Sequence, residues 1–143
     1  MENIKFKGIN VGLIDERGEI AAMHKGIPQN DVGIRTDVID NIPKAKGMTM
    51  LIRSMAPRVI VADEIGTNDE VNAIQYAICS GIKGIFTAHG GSFEDIKLNP
   101  AINKLIQDCA FERIIFLRSV KEKGEIAKVY ILNKIEREYE VCQ

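Results

Sequence analysis

The sequence predicts an α/β fold with a mainly parallel sheet, helices flanking that sheet, and a C-terminal β-hairpin. Short β-branched apolar runs alternate with amphipathic segments, and such alternation favours parallel strands joined by helices. The chain has 143 residues, of which 45% are hydrophobic and 27% are charged, as in ordinary globular domains. At this length we expect one domain over residues 1–143.

Five apolar runs rich in β-branched residues predict strands. They are bounded by turn residues such as Pro57 and Gly66, and they cover residues 9–14, 58–63, 83–88, 113–119 and 125–132. The stretch from residue 15 to 37 is polar, contains glycine, and is predicted to be irregular. The last two strands surround the turn sequence KEKGE, which is typical of a hairpin.

Helices are predicted between these strands, over residues 44–55, 67–81 and about 100–109. Pro43 suits the first turn of the first helix. Thr67 and Glu70 form a capping-box pattern at the start of the second helix, and Gly81 is placed to end it. The sequence SFED, at residues 92–95, is another pattern of the capping-box type.

Polar clusters follow the first three predicted strands. These clusters are DERGE at 15–19, DE at 63–64 and TAHGG at 87–91. Ligands of open parallel sheets bind beyond the carboxyl ends of the strands. If the three strands are neighbours, one edge of the sheet carries Asp15, Glu16, Asp63, Glu64, Thr87 and His89.

The residue types at this edge suit nucleotide hydrolysis. Asp63 can hold Mg²⁺ through its water shell, while Glu64 orients a water for attack on a phosphate. His89 or Thr87 can sense the terminal phosphate by hydrogen bonding. Charge that develops in the transition state can be neutralised by an arginine of the same chain or of a neighbouring subunit. The candidates are Arg35, Arg53 and Arg113.

A structural interpretation stays open beside this functional one. Asp-Glu after an apolar run is also typical of a solvated strand end, and a single histidine after a strand is often structural. The sequence contains no GxxxxGK[ST], the loop whose amides and lysine hold the phosphates. The residues by themselves therefore indicate half of a nucleotide site.

Composition excludes several other classes of function. The net charge is −1 and aromatics make up 6% of the chain, which disfavours a nucleic-acid surface. No apolar run approaches the roughly 20 residues of a membrane-spanning helix, and MENIKFKG does not resemble a secretory signal. Two of the three widely spaced cysteines are expected to be small buried hydrophobes in a reducing cytosol, not metal ligands or disulfides.

Four segments together resemble one family, that of stage III sporulation protein AA. They are VGLIDERGEIAA at 11–22, PQNDVGIRTDVIDNIPKAKGMTMLIRSMAPRVIVADEIG at 28–66, AICSGIKGIFTAHG at 77–90 and FERIIFL at 111–117. The family consists of ATPases of endospore-forming bacteria, related to secretion and pilus-motor ATPases. The resemblance covers most of residues 9–118 in consistent order and implies a RecA-like P-loop ATPase core.

The resemblance also implies roles for individual residues. Asp63 and Glu64 match the Walker B pair, as metal-shell residue and water-activating base, and His89 matches the histidine box. The acidic box places Asp15, Glu16 and Glu19 near the nucleotide and the metal. Arg35 and Arg53 lie in the segment that offers arginines to a nucleotide in related motors.

For a complete family member, the resemblance implies ATP and Mg²⁺ as ligands, bound weakly or not at all by these 143 residues alone, and a hexameric ring of copies that drives assembly or transport. It further implies membrane proteins of the mother cell–forespore channel as partners. The expected location is cytoplasmic, with peripheral placement on the mother-cell side of the forespore membrane left open.

The phosphate-binding loop of the family and its strand are missing from the sequence. That strand belongs between the last strand and the one ending in TAHG, so two sheet edges are expected to be unpaired. We expect these 143 residues alone to be inactive in ATP hydrolysis. The alternative is a natural short, nucleotide-free module that binds a motor subunit or a channel component.

Overall fold

A computed structural model describes residues 8–118 and 124–142 of the protein. Its elements in chain order are β1 (Val11–Asp15), β2 (Thr36–Asp40), α1 (Lys44–Ser54), β3 (Val59–Ala62), α2 (Asn68–Cys79), β4 (Lys83–Phe86), α3 (Phe93–Ile96), α4 (Pro100–Gln107), β5 (Arg113–Leu117), β6 (Ile126–Asn133) and β7 (Glu138–Val141). Contacts group them into two compact units, one ending at Ala88 and the other beginning at His89. The single domain over 1–143 stays a prediction.

The first unit is a four-stranded parallel sheet in the order β2-β1-β3-β4. The connections through α1 and α2 both run in the same direction across the sheet. Right-handed crossovers therefore put both helices on one face, where they pack against each other. Strand β2 was not predicted, because its sequence TDVID follows a polar stretch and carries two acidic residues.

Helix α1 lies close against β1 because glycines stand at the points of contact. A Cβ at position 47 would lie 3.0 Å from Ile14 Cγ2, and one at position 12 would lie 2.9 Å from Leu51 Cδ1. Ile14 and Leu51 are fully buried, as are Met48, Ile60 and Ile74. This core supports the carboxyl ends of β1 and β3 from below.

The second unit carries a three-stranded antiparallel sheet in the order β5-β6-β7. Pairing of β5 with β6 confirms the predicted hairpin strands, while most of the KEKGE turn lies outside the described residues. Strand β7 was not predicted. Phe93 of α3 stacks on Tyr130 with ring centroids 4.7 Å apart, and Phe116 meets Tyr130 edge-on. The fold class is confirmed: a helix-flanked parallel sheet is followed by an antiparallel one.

The end signals of α2 were predicted correctly, while the capping-box pattern at residues 92–95 forms only its Ser92 half. Thr67 and Glu70 form both bonds of the capping box, Gly81 follows α2 with a φ of 77°, and the Ser92 hydroxyl accepts from the Asp95 N–H. Pro43 is the residue before α1 rather than part of its first turn. The expectation of two buried cysteines is wrong: Cys79 is exposed at the end of α2, and Cys109 is only partly buried.

The two sheets have four edge strands among the described residues, β2 and β4 in the first and β5 and β7 in the second. The two edges expected next to the phosphate-loop strand, those of β4 and β5, are among them, while the loss of that strand stays a prediction. Within the described residues, β4 pairs only with β3, and β5 pairs only with β6. Ile85 of β4 is 61% exposed. Among the helices that the structure describes, none has the length and apolar character needed to cross a bilayer.

Candidate functional site

The carboxyl ends of β1, β3 and β4 lie side by side in the first unit. The register pairs Ile14 with Ala62 and Ala62 with Phe86, so the next residues on the three strands follow at the same level. These residues are Asp15, Asp63 and Thr87. Since neighbouring strands lie about 4.8 Å apart, three polar side chains start from one short edge. We call this the carboxylate edge.

Asp15 organises the loop that follows β1. Its side chain is fully buried, and its carboxylate accepts hydrogen bonds from the main-chain N–H groups of Glu19, Ile20 and Ala21 at 2.8–3.3 Å. Both oxygens are therefore engaged within the loop. A direct contact between Asp15 and a nucleotide stays a prediction, and this geometry instead gives Asp15 the role of shaping the loop.

The same loop presents Glu16, Arg17 and Glu19 at the surface. Glu16 is partly exposed and accepts a hydrogen bond from the main-chain N–H of Lys44 at 3.1 Å. Arg17 Nη1 lies 2.8 Å from Glu64 Oε2, which joins the end of β1 to the end of β3. The side chain of Glu19 is exposed.

Asp63 and Glu64 differ in how they are held. Asp63 is half-buried, and within residues 8–118 and 124–142 its carboxylate makes no hydrogen bond or ion pair. Glu64 has a φ of 43°, in the left-handed region that costs a non-glycine residue about 1–2 kcal/mol. Thr87 supports this turn: its hydroxyl accepts from the Glu64 N–H at 2.9 Å and its carbonyl accepts from Ile65 at 2.8 Å.

A buried lysine lies beneath the Glu64 turn. Lys44 begins α1, its side chain is 8% exposed, and its ammonium group donates to the Glu64 carbonyl oxygen at 3.0 Å. The ammonium also lies 3.6 Å from Glu70 Oε1. Lys44 therefore joins α1, the β3 end and the start of α2.

Comparison with known proteins identifies the family to which this sheet and its carboxylate edge belong. The family model described as sporulation stage III, protein AA, matches residues 2–136. The chain belongs to the stage III sporulation protein AA family. It is 40% identical over 122 residues to stage III sporulation protein AA of Bacillus subtilis strain 168, covering 85% of this chain and 40% of that protein.

A solved structure supports the fold of this chain. The X-ray structure of the Legionella pneumophila ATPase DotB superposes with a TM-score of 0.61 over 93% of the chain and 39% of DotB. Sequence identity is 14%, so the likeness shows the fold. The predicted family and the predicted ATPase-type fold are both confirmed.

Two of the predicted arginines, Arg35 and Arg53, lie away from the carboxylate edge of their own chain. Arg35 precedes β2, and its guanidinium donates to Asn10 Oδ1 at 3.1 Å. A five-residue strand spans about 16 Å, which separates Arg35 from the edge where β2 ends. Arg53 is exposed in the last turn of α1, about 13 Å along the helix axis from Lys44. That Arg35 or Arg53 contributes to the site of a neighbouring subunit stays a prediction.

His89 is exposed and begins the second unit, and Arg113 is exposed at the start of β5. Their roles in the site stay predictions.

A groove of about 570 Å³ lies at the amino end of β3 and β4, lined by residues that include Ile52, Tyr76 and Lys83. None of the predicted site residues lines this groove. The groove therefore lies apart from the predicted nucleotide site.

The carboxylate edge fits a hydrated magnesium ion better than a closed protein cage. Among the described residues, no three His, Cys, Asp or Glu side chains converge as metal ligands. Mg²⁺ commonly takes one or two carboxylates and completes its shell with water and phosphate oxygens. Asp63, whose carboxylate has no partner among the described residues, matches that requirement.

Sequence reasoning missed Arg17, Lys44 and Asp40 at this edge. Asp40 pairs in register with Asp15 and accepts from the Asn41 amide at 2.9 Å. It was missed because β2 itself was missed. The signal for Lys44 was present, because a cation in the first turn of a helix opposes the helix dipole.

Proposed function

We propose that this chain supplies the metal-shell and water-activating carboxylates of an ATP-hydrolysing site in a sporulation protein. The observation that carries the proposal is the difference between the adjacent residues after β3. Asp63 has no partner among the described residues, while Glu64 is held in a fixed turn. Membership of the stage III protein AA family and the fold shared with DotB support it.

Each residue has a distinct task in this proposal. Asp63 accepts hydrogen bonds from the water shell of the metal or binds the metal directly. Mg²⁺, when bound, neutralises charge on the phosphates. Glu64 Oε orients the attacking water and accepts its proton, and Arg17 must release Glu64 for that to happen. Thr87 fixes the Glu64 main chain.

Binding of Mn²⁺, in place of Mg²⁺, tests the proposal without requiring turnover. Paramagnetic Mn²⁺ broadens the NMR signals of amides close to it. We expect the amides of residues 62–65 to broaden first and Asp63→Asn to abolish the effect. Asp69→Asn is the matched control, because Asp69 is an exposed carboxylate in the first turn of α2. Equal broadening in Asp63→Asn, or none in the unmodified chain, contradicts the proposed site.

Hydrolysis by these 143 residues is expected to stay at background, because the sequence contains no GxxxxGK[ST] to hold the triphosphate. Phosphate release measured with Mg²⁺ and ATP tests this. Release that disappears in Glu64→Gln would show that the chain is active by itself.

We further propose a homo-oligomeric ring, hexameric as the family resemblance implies, with channel membrane proteins as partners and a cytoplasmic location. Arg35 and Arg53 support the ring, because their distance from their own carboxylate edge leaves them available to a neighbouring copy. Sedimentation with and without Mg²⁺-ATP tests the oligomer. A monomer under both conditions at high concentration contradicts self-association of this chain.

A second candidate function is a nucleotide-free interaction module. The exposed edge of β4 favours it, since an unpaired strand can add a strand from a partner. Replacing Ile85 by lysine should weaken such pairing and leave Mn²⁺ broadening at residues 62–65 unchanged.

A further inference from the structure

The position of Lys44 is unusual for a lysine in two respects. It places a positive charge in the first turn of α1, where the helix dipole favours negative charge. It is also buried, with 8% of its side chain exposed, although lysine is almost never buried unless it is paired. Pro43 before it offers no capping side chain. Contacts beyond the helix must therefore account for its position.

Those contacts are with residues next to the carboxylate edge and with the start of α2. The Lys44 ammonium donates to the Glu64 carbonyl oxygen at 3.0 Å and lies 3.6 Å from Glu70 Oε1. It lies 4.0 Å from Glu16 Oε2, the same oxygen that accepts from the Lys44 main-chain N–H. One cation therefore joins the loops that follow β1 and β3.

Both main-chain polar groups of Glu64 are held by side chains. The Thr87 hydroxyl accepts from its N–H, and the Lys44 ammonium donates to its carbonyl. The following residues are held as well, because Glu70 Oε2 accepts from the N–H groups of Gly66 and Thr67. A left-handed residue other than glycine persists only where its surroundings hold it. At Glu64, the surroundings that hold the main chain include these three side chains, those of Thr87, Lys44 and Glu70.

We propose that Lys44 is a positioning residue for Glu64. It holds the Glu64 carbonyl so that this residue keeps its left-handed conformation, and this conformation directs the carboxylate outward from the end of β3. The inference rests on the proposed function of Glu64 as the water-activating base. Lys44 acts through the Glu64 main chain and is not itself assigned a contact with nucleotide.

The first test compares Lys44→Met with Lys46→Met. Lys46 lies in the same turn of α1, is exposed, and has no partner among the described residues, so it is a matched control for charge and helix position. A left-handed residue has a short distance between its own amide and α protons. We expect the strong NMR cross-peak between these protons of Glu64 to be lost in Lys44→Met and retained in Lys46→Met.

Two further variants separate positioning from general stability. Lys44→Arg keeps a cationic donor and should retain the Glu64 cross-peak. Glu70→Gln weakens the buried ion pair but leaves the Lys44 donor in place, so it should lower the unfolding temperature and still retain the cross-peak. Loss of the cross-peak in Glu70→Gln to the same extent as in Lys44→Met would overturn the specific role of Lys44.

One measurement requires no variant, in case Lys44→Met fails to fold. Lysine ammonium spectra of the unmodified chain should show a scalar coupling across the hydrogen bond from Lys44 Nζ to the Glu64 carbonyl carbon. Absence of that coupling overturns the proposal, as does a folded Lys44→Met chain in which Glu64 stays left-handed.

Failure of the inference is distinguishable from failure of the proposed function. If Mn²⁺ leaves residues 62–65 of the unmodified chain unbroadened while Lys44→Met still loses the Glu64 cross-peak, the metal site is wrong and the main-chain support stands. If Mn²⁺ broadens these residues and Glu64 is unchanged in Lys44→Met, the metal site stands and the positioning role is wrong.

Discussion

Arg17 and Glu64, 47 positions apart in the chain, form an ion pair of 2.8 Å across the ends of β1 and β3. The side chains are 60% and 31% exposed, respectively, so water screens their attraction. The pair therefore orients the Glu64 carboxylate without contributing much to folding. Such a contact can open when a ligand approaches.

The exposure of this pair predicts a small effect on stability. Arg17→Ala should change the free energy of unfolding by less than about 0.5 kcal/mol, because exposed pairs contribute little. Urea unfolding at moderate salt measures this. A loss above about 2 kcal/mol would show that the pair is structural and does not merely orient Glu64.

Asp15 should behave in the opposite way. Asp15→Asn replaces a carboxylate oxygen by an amide donor that faces main-chain N–H groups, so buried hydrogen bonds are lost. We expect a loss of about 3 kcal/mol in the free energy of unfolding. Glu19→Gln, at an exposed position of the same loop, is the control and should lie within about 0.5 kcal/mol of the unmodified chain. Equal stability of both variants contradicts the loop-organising role of Asp15.

Close approach of α1 to β1 predicts that position 47 tolerates no large side chain. Gly47→Leu must displace Ile14 or Ile39, and overpacking of this kind costs about 1–3 kcal/mol. That cost outweighs the gain of about 1 kcal/mol from replacing a helical glycine. The unfolding temperature should therefore fall for Gly47→Leu and stay unchanged for Lys46→Leu, which lies on the exposed side of α1. A higher unfolding temperature for Gly47→Leu would mean that the contact relaxes.

Alkaline pH should destabilise the chain through Tyr139. Burial raises the pKa of the Tyr139 phenol above its ordinary 10.0, and nearby Cys109 adds to this, while a main-chain hydrogen bond with Phe111 opposes it. The folded state thus holds the proton more tightly than the unfolded state. This stabilisation is complete below about pH 10 and is lost as the pH rises through the folded-state pKa. Between pH 9 and 11, the unmodified chain should lose more stability in urea than Tyr139→Phe. Equal losses would contradict the shift.

Elements whose identity is encoded locally were predictable from sequence. The β-branched run of β3 and the Thr67–Glu70 capping box of α2 each contain their own start and end signals. Strand β2 was missed because a short edge strand that carries acidic residues resembles a loop until a neighbour pairs with it. Its identity as a strand depends on β1, which no local pattern reports.

Site residues divide in the same way. The sequence indicated that Asp63 and Glu64 follow a buried strand, and the structure has them there. The sequence could not indicate that the Asp15 carboxylate is hydrogen-bonded within its own loop, nor that Lys44 donates to the Glu64 carbonyl. Those facts depend on side-chain direction and on the packing of α1 between two loops.

Thr87 has two possible roles that an experiment can tell apart: support of the Glu64 main chain and contact with a ligand. Its hydroxyl accepts from the Glu64 N–H at 2.9 Å, so Thr87→Val should remove that acceptor and speed hydrogen exchange at the Glu64 amide. Thr87→Ser keeps the hydroxyl and should restore protection. The Ile65 amide is an internal control, because it donates to the Thr87 main-chain carbonyl at 2.8 Å and should stay protected in both variants. If hydrogen exchange at the Glu64 amide is unchanged in Thr87→Val, the hydroxyl does not hold that amide. It is then available for the phosphate-sensing role that the sequence predicted. Faster exchange would mean that Thr87 serves the site by holding Glu64.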